Sequence, residues 1–316
     1  MDWRIKACIQ GVLSNVPGGA RLNSRLQALV GERADEPRHV QSKFEDDWLF
    51  MMELLQQQGF AVRGKVLMEI GTGWLPVLPL CFALAGARRV YCFDLHRHLQ
   101  PRSVAAVLQH LIPHLAALAE ASGQALSEVI SRHEFLSAAS NSSERKTLSV
   151  LQSAGIDYQA PADAGRTGLN AGSMDLIFSN SVLEHVSEPQ LAALMRESAR
   201  LLGPQGLSLH GVNCADHFSF FDRSIPPNHY LRFSSRQWRR WNNALLFQNR
   251  LRPSDFIAAA EAAGLHIAQR VQTTRLDLLK RLPRDRIAPE FHRYSDADLC
   301  TTSITFAAER AGTAST

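Results

Sequence analysis

Three groups of residues have types and spacings suited to chemistry: a glycine turn, a series of separated carboxylates, and three histidines. The turn is Glu69-Ile-Gly-Thr-Gly73-Trp74, at the end of the mostly apolar run Val66 to Ile70. Glycines at such a point let the backbone approach a ligand where a Cβ would clash. A helix N-terminus after the turn favours anionic groups. The same residues also serve as a tight structural turn. A dinucleotide fingerprint is not completed, because its third glycine would fall on Pro76. Asp94 ends the next run, Arg89 to Phe93. A carboxylate there can accept hydrogen bonds from both hydroxyls of a ribose, or cap a helix. Asp163-Ala164 and Asn180 come later, Asn180 closing the run from Ser173.

The histidines are His185 in the pair Glu184-His185, His217 in Cys214-Ala-Asp216-His217, and His229 in Pro226-Pro-Asn-His229-Tyr230. Imidazole titrates near neutral pH and suits a general base. For each of them a structural hydrogen bond or a solvated loop position is the competing assignment. Asn249-Arg250-Leu251-Arg252 suits either an acidic substrate group or a helix cap on the surface.

These residues need a scaffold that brings distant segments together. Val66–Ile70, Arg89–Phe93, Ile156–Gln159, Ser173–Ser179, Leu207–Val212 and Leu265–Thr273 read as strands. Thr301–Glu309 reads as a final edge strand. Helical patterns over 76–85, 104–121, 189–202 and 253–263 alternate with them, which is the order of a doubly wound α/β sheet. Ala20–Val30 and Glu45–Gln58 carry apolar residues at helical spacing, so residues 1–64 read as an N-terminal helical cap. Residues 65–316 then form the main domain. Ser122–Ser153 reads as an insertion or lid ahead of the third strand, and Ala311–Thr316 as a frayed tail. A second insertion after the fifth strand, at about 213–250, holds Phe218, Phe220, Phe221, Tyr230, Phe233, Trp238, Trp241 and Phe247. It is a lid over an apolar small molecule or an ordinary subdomain core.

The chain has 316 residues, 45% hydrophobic and 20% charged, with a formal net charge of +4. That composition is ordinary for a globular protein and needs no metal or disulfide to hold its core. Five scattered cysteines without a CxxC pair fit a reducing, cytoplasmic setting. No segment reads as the roughly 20 apolar residues of a membrane span, so no membrane partner is expected. The densest basic stretch, Arg236 to Arg252, reads as a solvated face or as a surface for an acidic ligand or RNA. A GxSxG elbow and a Walker A loop are both absent from the sequence.

Taken in order, Glu69–Gly73, Asp94, Asp163-Ala164, Gly172-Ser-Met-Asp175 and Ser181-Val-Leu-Glu-His-Val186 resemble the successive motifs of class I S-adenosylmethionine-dependent methyltransferases. Leu201-Leu-Gly-Pro-Gln-Gly-Leu207 is similar to that family's turn into its fifth strand, usually written Lys-Pro-Gly-Gly. The resemblance spans about Val66 to Leu209. It implies a Rossmann-like α/β fold with a seven-stranded sheet, and methyl transfer from S-adenosyl-L-methionine to oxygen or nitrogen of a small-molecule acceptor in biosynthesis. It implies that Glu69 reaches the cofactor amino group, that Gly71 and Gly73 let the loop pass beneath, and that Asp94 holds the ribose. Asp163 then faces the adenine amino group, the Ala164 backbone lies beside the ring, and Asn180 lies near the methionine carboxylate. Trp74 departs from the usual small residue and packs on the cofactor or under the preceding helices.

The same resemblance places His185, His217 and His229 as candidates for the base. Glu184, His185 and His229 are similar to positions that bind a divalent ion in some ubiquinone-type and small-RNA methyltransferases. Ser181 stands where those enzymes carry another acidic residue, so no metal is expected. The competing functional classes are a catalytically degenerate, cofactor-binding scaffold and an RNA methyltransferase. The modest charge disfavours nucleic acid as a partner, and a homo-oligomer stays open.

Overall fold

Every side chain of Val66–Ile70 is buried, as expected of a parallel strand covered on both faces. In the computed structural model, which describes residues 2–14, 16, 37–138 and 142–310, this run is β1. It pairs in parallel with β2 (Arg89–Phe93) and with β4 (Met174–Asn180), and β2 pairs in parallel with β3 (Ile156–Gln159). With β5 (Leu202–Asn213), β6 (Leu265–Thr274) and β7 (Thr301–Arg310) the order is β3-β2-β1-β4-β5-β7-β6. This is the expected seven-stranded α/β sheet. The chain leaves β1 in one direction through β2 and β3, then returns to β1's other side with β4. That reversal is the switch point at which α/β sheets bind ligands.

The expected edge strand over Thr301–Glu309 is corrected, because β7 lies between β5 and β6. Burial explains the exchange. Ile304, Phe306, Ala307 and Ala308 of β7 are buried, whereas β6 leaves most of its residues exposed or half-exposed. The strand with a wet face takes the edge.

The chain divides into two compact units. One holds the described residues of 37–180 with 193–209 and 307–310; the other holds the described residues up to 16 with 181–192 and 210–306.

In the first unit, Pro37–Ser42, a π turn at Lys43–Trp48 and Leu49–Gln57 follow one another without a break. Val40, Phe44, Trp48, Met51 and Leu55 enter the same core as Leu67 of β1. The helix Val77–Leu84 buries all eight of its residues. Pro79 is tolerated there because it lies in the first turn, where an N–H has no intrahelical acceptor.

The segment Ser122–Ser153, read as an insertion or lid, packs on the core of this unit. Leu126–Ser137 and Glu144–Ser153 are helices whose Val129, Leu136 and Leu151 join that core. Pro101–Ser122 is long and apolar enough by composition to cross a membrane, contrary to the expectation of no such stretch. It is broken by a 3-10 turn at Ile112–His114, and Val104, Val107, Leu108, Leu111 and Leu118 are core residues. The helix expected over Ala20–Val30 and the tail Ala311–Thr316 lie outside the described residues.

The second unit is organised around aromatic side chains. Trp3 and Ala7 of the helix Trp3–Ser14 share a core with Phe218, Tyr230, Leu231, Trp238, Ile287 and Phe291.

Candidate active site

Strand register assembles the first group of residues. Ile70 is opposite Phe93, Phe93 opposite Gln159, and Glu69 opposite Phe178. The strands are parallel, so Gly71, Asp94, Ala160 and Asn180 all emerge at the same carboxyl edge. Gly71 and Gly73 both adopt left-handed backbone, at φ of 76° and 66°, which glycine alone takes without strain. A Cβ at Gly73 would meet nothing within 4 Å, so the turn faces open space.

The Gly73 N–H donates to Asp94 Oδ2 at 2.8 Å, and the His96 N–H donates to Oδ1 at 3.0 Å. A carboxylate offers about four acceptor positions, so lone pairs remain for a diol. The Ala162 N–H donates to the Asp94 carbonyl at 2.8 Å, tying the loop after β3 to the end of β2. In that loop Asp163 is exposed and accepts from the Gly165 N–H at 2.8 Å, beside a buried Ala164. Asp175, part of the quoted motifs, holds the other end of the sheet: it accepts from the Val66 N–H at 2.8 Å.

Glu69 is buried and accepts a 2.6 Å hydrogen bond from Thr72 Oγ1. Burial pushes its carboxyl up to about 7, against the Thr72 bond and the charge of Lys43. Lys43 and Asp47 were not singled out in the sequence, although their separation is that of a helical ion pair. In the π turn Lys43 Nζ is 3.7 Å from Asp47 Oδ2. Asn180 donates to Asp47, whose carboxyl is raised by burial and held down by Lys43 and by this bond. The turn therefore sets a cation and an anion against the ends of β1 and β4. Trp74 is half exposed, its ring 4.2 Å from that of His98.

The three histidines belong to the other unit and separate into two groups. His229 is buried, with Nδ1 3.1 Å from Oδ2 of the buried Asp216. Trp3 and Phe233 meet it edge-on at 5.0 and 5.2 Å. His185 and His217 lie together, ring centroids 5.0 Å apart. His185 Nδ1 is 2.6 Å from the Phe247 carbonyl oxygen. Only an N–H can make that bond, so Nε2 of the neutral ring keeps the lone pair. Burial holds His185 below the ordinary imidazole range and pushes His217 down to about 3, where His185 and Lys6 lower it further.

Arg250 and Arg252 are neither surface residues nor open to a substrate. Arg252 donates to the carbonyls of Cys214, Asp298 and Thr301 and to the Tyr230 hydroxyl; Arg250 donates to the carbonyls of Tyr230 and Phe233 and pairs with Glu290 at 3.1 Å. Of the aromatic insertion, Phe218, Tyr230 and Trp238 are core residues, while Phe220 and Phe221 are exposed.

A family profile described as a methyltransferase domain matches residues 39–270. No curated protein matches the chain. Among solved structures the chain is similar to a geranyl diphosphate C-methyltransferase from Streptomyces coelicolor, at 12% identity and a TM-score of 0.45 over 89% of this chain and 85% of that one. It is similar also to an S-adenosylmethionine-dependent methyltransferase from Mesorhizobium loti, at 17% identity and a TM-score of 0.44 over 82% and 96%. A third is magnesium protoporphyrin IX methyltransferase from Synechocystis, at 13% identity and a TM-score of 0.42 over 88% and 84%. The matched profile covers most of the chain, including every strand-end motif, and the chain belongs to the methyltransferase family, among the class I S-adenosylmethionine-dependent enzymes that those motifs resemble.

Proposed function

We propose that this protein moves a methyl group from S-adenosylmethionine to an oxygen or nitrogen of a small-molecule acceptor in a biosynthetic setting. The observation that carries the proposal is the meeting of a buried Glu69 carboxyl, an open Gly73 turn and Asp94 at one sheet edge. The cofactor asks for an acceptor for its amino group, backbone clearance beside its chain, and an acceptor for two ribose hydroxyls. The residues present fit each demand. When bound, the cofactor supplies a sulfonium-activated methyl, so in-line alignment is the protein's main task.

In this reading Glu69 accepts from the amino group, Gly71 and Gly73 give clearance, and Asp94 holds the ribose. Asp163 faces the adenine amino group, Ala164 lies beside the ring, and Asn180 takes the carboxylate end. Asp216 accepts from His229 Nδ1 and fixes its tautomer, so Nε2 can take the proton from a hydroxyl acceptor. His185 and His217 are the other candidates for that proton, both held neutral.

The test uses methyl-labelled cofactor and a panel of hydroxylated and aminated small molecules. Label should pass to an acceptor, and His229→Ala should lower turnover by about 100-fold or more with cofactor affinity intact. Label transfer at the wild-type rate in His229→Ala would remove His229 as the base. Cofactor binding without transfer to any acceptor would favour the scaffold reading.

A further inference from the structure

We propose that Glu184, His185 and His217 form a binding site for a divalent transition-metal ion of the zinc type. One donor atom from each of the three lies within 4.8 Å of the others. Ligands about 2 Å from a shared ion sit roughly 3–3.5 Å apart, so small side-chain rotations complete the site.

The backbone beneath it is fixed from outside. The 3-10 turn Leu183–His185 is held by Asn249, whose amide donates to the Leu183 carbonyl at 2.7 Å and to that of Val186 at 2.9 Å. The Asn249 N–H donates to the Glu184 carbonyl at 2.9 Å. His217 opens the turn His217–Phe220, and its own N–H donates to the Gln248 side chain at 3.2 Å.

Two observations point to a ligand rather than to a packing contact. The first is His185, whose Nδ1–H is committed to the Phe247 carbonyl at 2.6 Å. This is the outer hydrogen bond that metal-bound histidines make, and it leaves Nε2 to coordinate. The second is His217, whose buried Nε2 has no hydrogen-bond partner among the described residues. A buried ring nitrogen left so needs an explanation, and an ion is one.

Two imidazoles and one carboxylate are the donor set of open zinc sites and of related first-row metals. Calcium and magnesium prefer all-oxygen sites. Three protein ligands leave a fourth position for water or for an acceptor heteroatom. His229 is not a member of this set, since Asp216 engages it. The three residues the structure gathers therefore differ from the trio that the resemblance suggested.

The proposal stands apart from the cofactor reading and is tested without it. The full chain, stripped with a chelator, is titrated with Zn2+ by calorimetry and with Co2+ by visible absorption, and its thermal unfolding is followed with and without Zn2+. One ion should bind per chain, Co2+ should develop bands of low-coordinate nitrogen and oxygen ligation, and Zn2+ should raise the unfolding temperature. His217→Ala and His185→Ala should each lower affinity more than about tenfold and abolish the thermal shift, while unfolding cooperatively without metal. If either alanine variant fails to fold, His217→Gln replaces it with the same expectation. Absence of one-to-one binding by the wild type, or unchanged affinity in the His217 and His185 variants, would overturn the site.

Discussion

The Gly73 N–H points at Asp94 Oδ2 across 2.8 Å, joining the turn after β1 to the end of β2. One carboxylate thus shapes the glycine loop and keeps lone pairs for a ligand. Because the parallel register puts Ile70 opposite Phe93, the pairing follows directly from strand alignment.

Glu69 predicts a pH dependence of cofactor binding. Its carboxyl sits at about 7 because it is buried. Below that pH the free protein holds it protonated, and an ammonium group binds only the ionised form. Affinity for S-adenosylhomocysteine should rise between pH 6 and 8, with proton release on binding below pH 7. Calorimetry in buffers of differing ionisation heat measures that release. The stability of the unliganded fold has the opposite sign. The folded state binds the proton more tightly than the unfolded one, so stability falls as pH rises from about 4.5 through 7. Glu69→Gln should remove both effects and weaken cofactor binding; retention of the pH dependence in that variant would show another group to be responsible.

Lys43 supplies positive charge beside Glu69 and is paired with Asp47. Through Asp47 it neighbours Asn180, which in the proposed function takes the carboxylate end of the cofactor. Lys43→Gln should weaken S-adenosylhomocysteine binding about 3- to 10-fold, a charge-assisted hydrogen bond's worth at a half-exposed site. Binding of 5′-methylthioadenosine, which lacks the amino-acid part, should stay unchanged. Equal losses for both ligands would instead make Lys43 a support of the fold.

Glu197 predicts acid sensitivity of the fold itself. Arg200 donates twice to it, each at 2.7 Å, and Thr167 Oγ1 donates at 2.6 Å. The Arg200 hydrogen bonds, helped by Thr167, hold the carboxyl down at about 2. A depressed carboxyl adds stability above its unfolded value and loses it as pH falls from about 4.5 toward 2. Glu197→Gln should cost about 1–3 kcal/mol at pH 7 and next to nothing near pH 2, measured by urea unfolding at both. An equal loss at the two pH values would assign the effect to packing.

β1 and β4 were readable because a parallel strand buried on both faces shows as a mostly apolar run, as in Val66–Ile70, which only Glu69 interrupts. The glycines and Asp94 lie next to strand ends in the sequence, so spacing marked them as candidates, while the roles proposed for Glu69, Gly73 and Asp94 came from the resemblance to the methyltransferase motifs. The place of β7 was not readable: strand order is a pairing of distant segments, and alternation suits an edge or an interior position equally. The helices within 122–153 were obscured by their polar faces: their buried residues are Val129, Leu136 and Leu151 together with the polar His133 and Thr147. The π turn that places Lys43 and Asp47 follows from packing of Phe44 and Trp48. Sequence proximity also could not show that His217 joins His185 while His229 joins Asp216, since Phe247 and Asn249 fix that arrangement from far along the chain.

Calorimetric titration of the purified chain with S-adenosylhomocysteine, wild type against Asp94→Ala, reads cofactor binding at the sheet edge itself. Asp94 carries both the loop contact and the proposed ribose contacts, so the wild type should bind one-to-one and the variant should lose about two orders of magnitude in affinity. No binding by the wild type, or undiminished binding by Asp94→Ala, would contradict the proposed cofactor site.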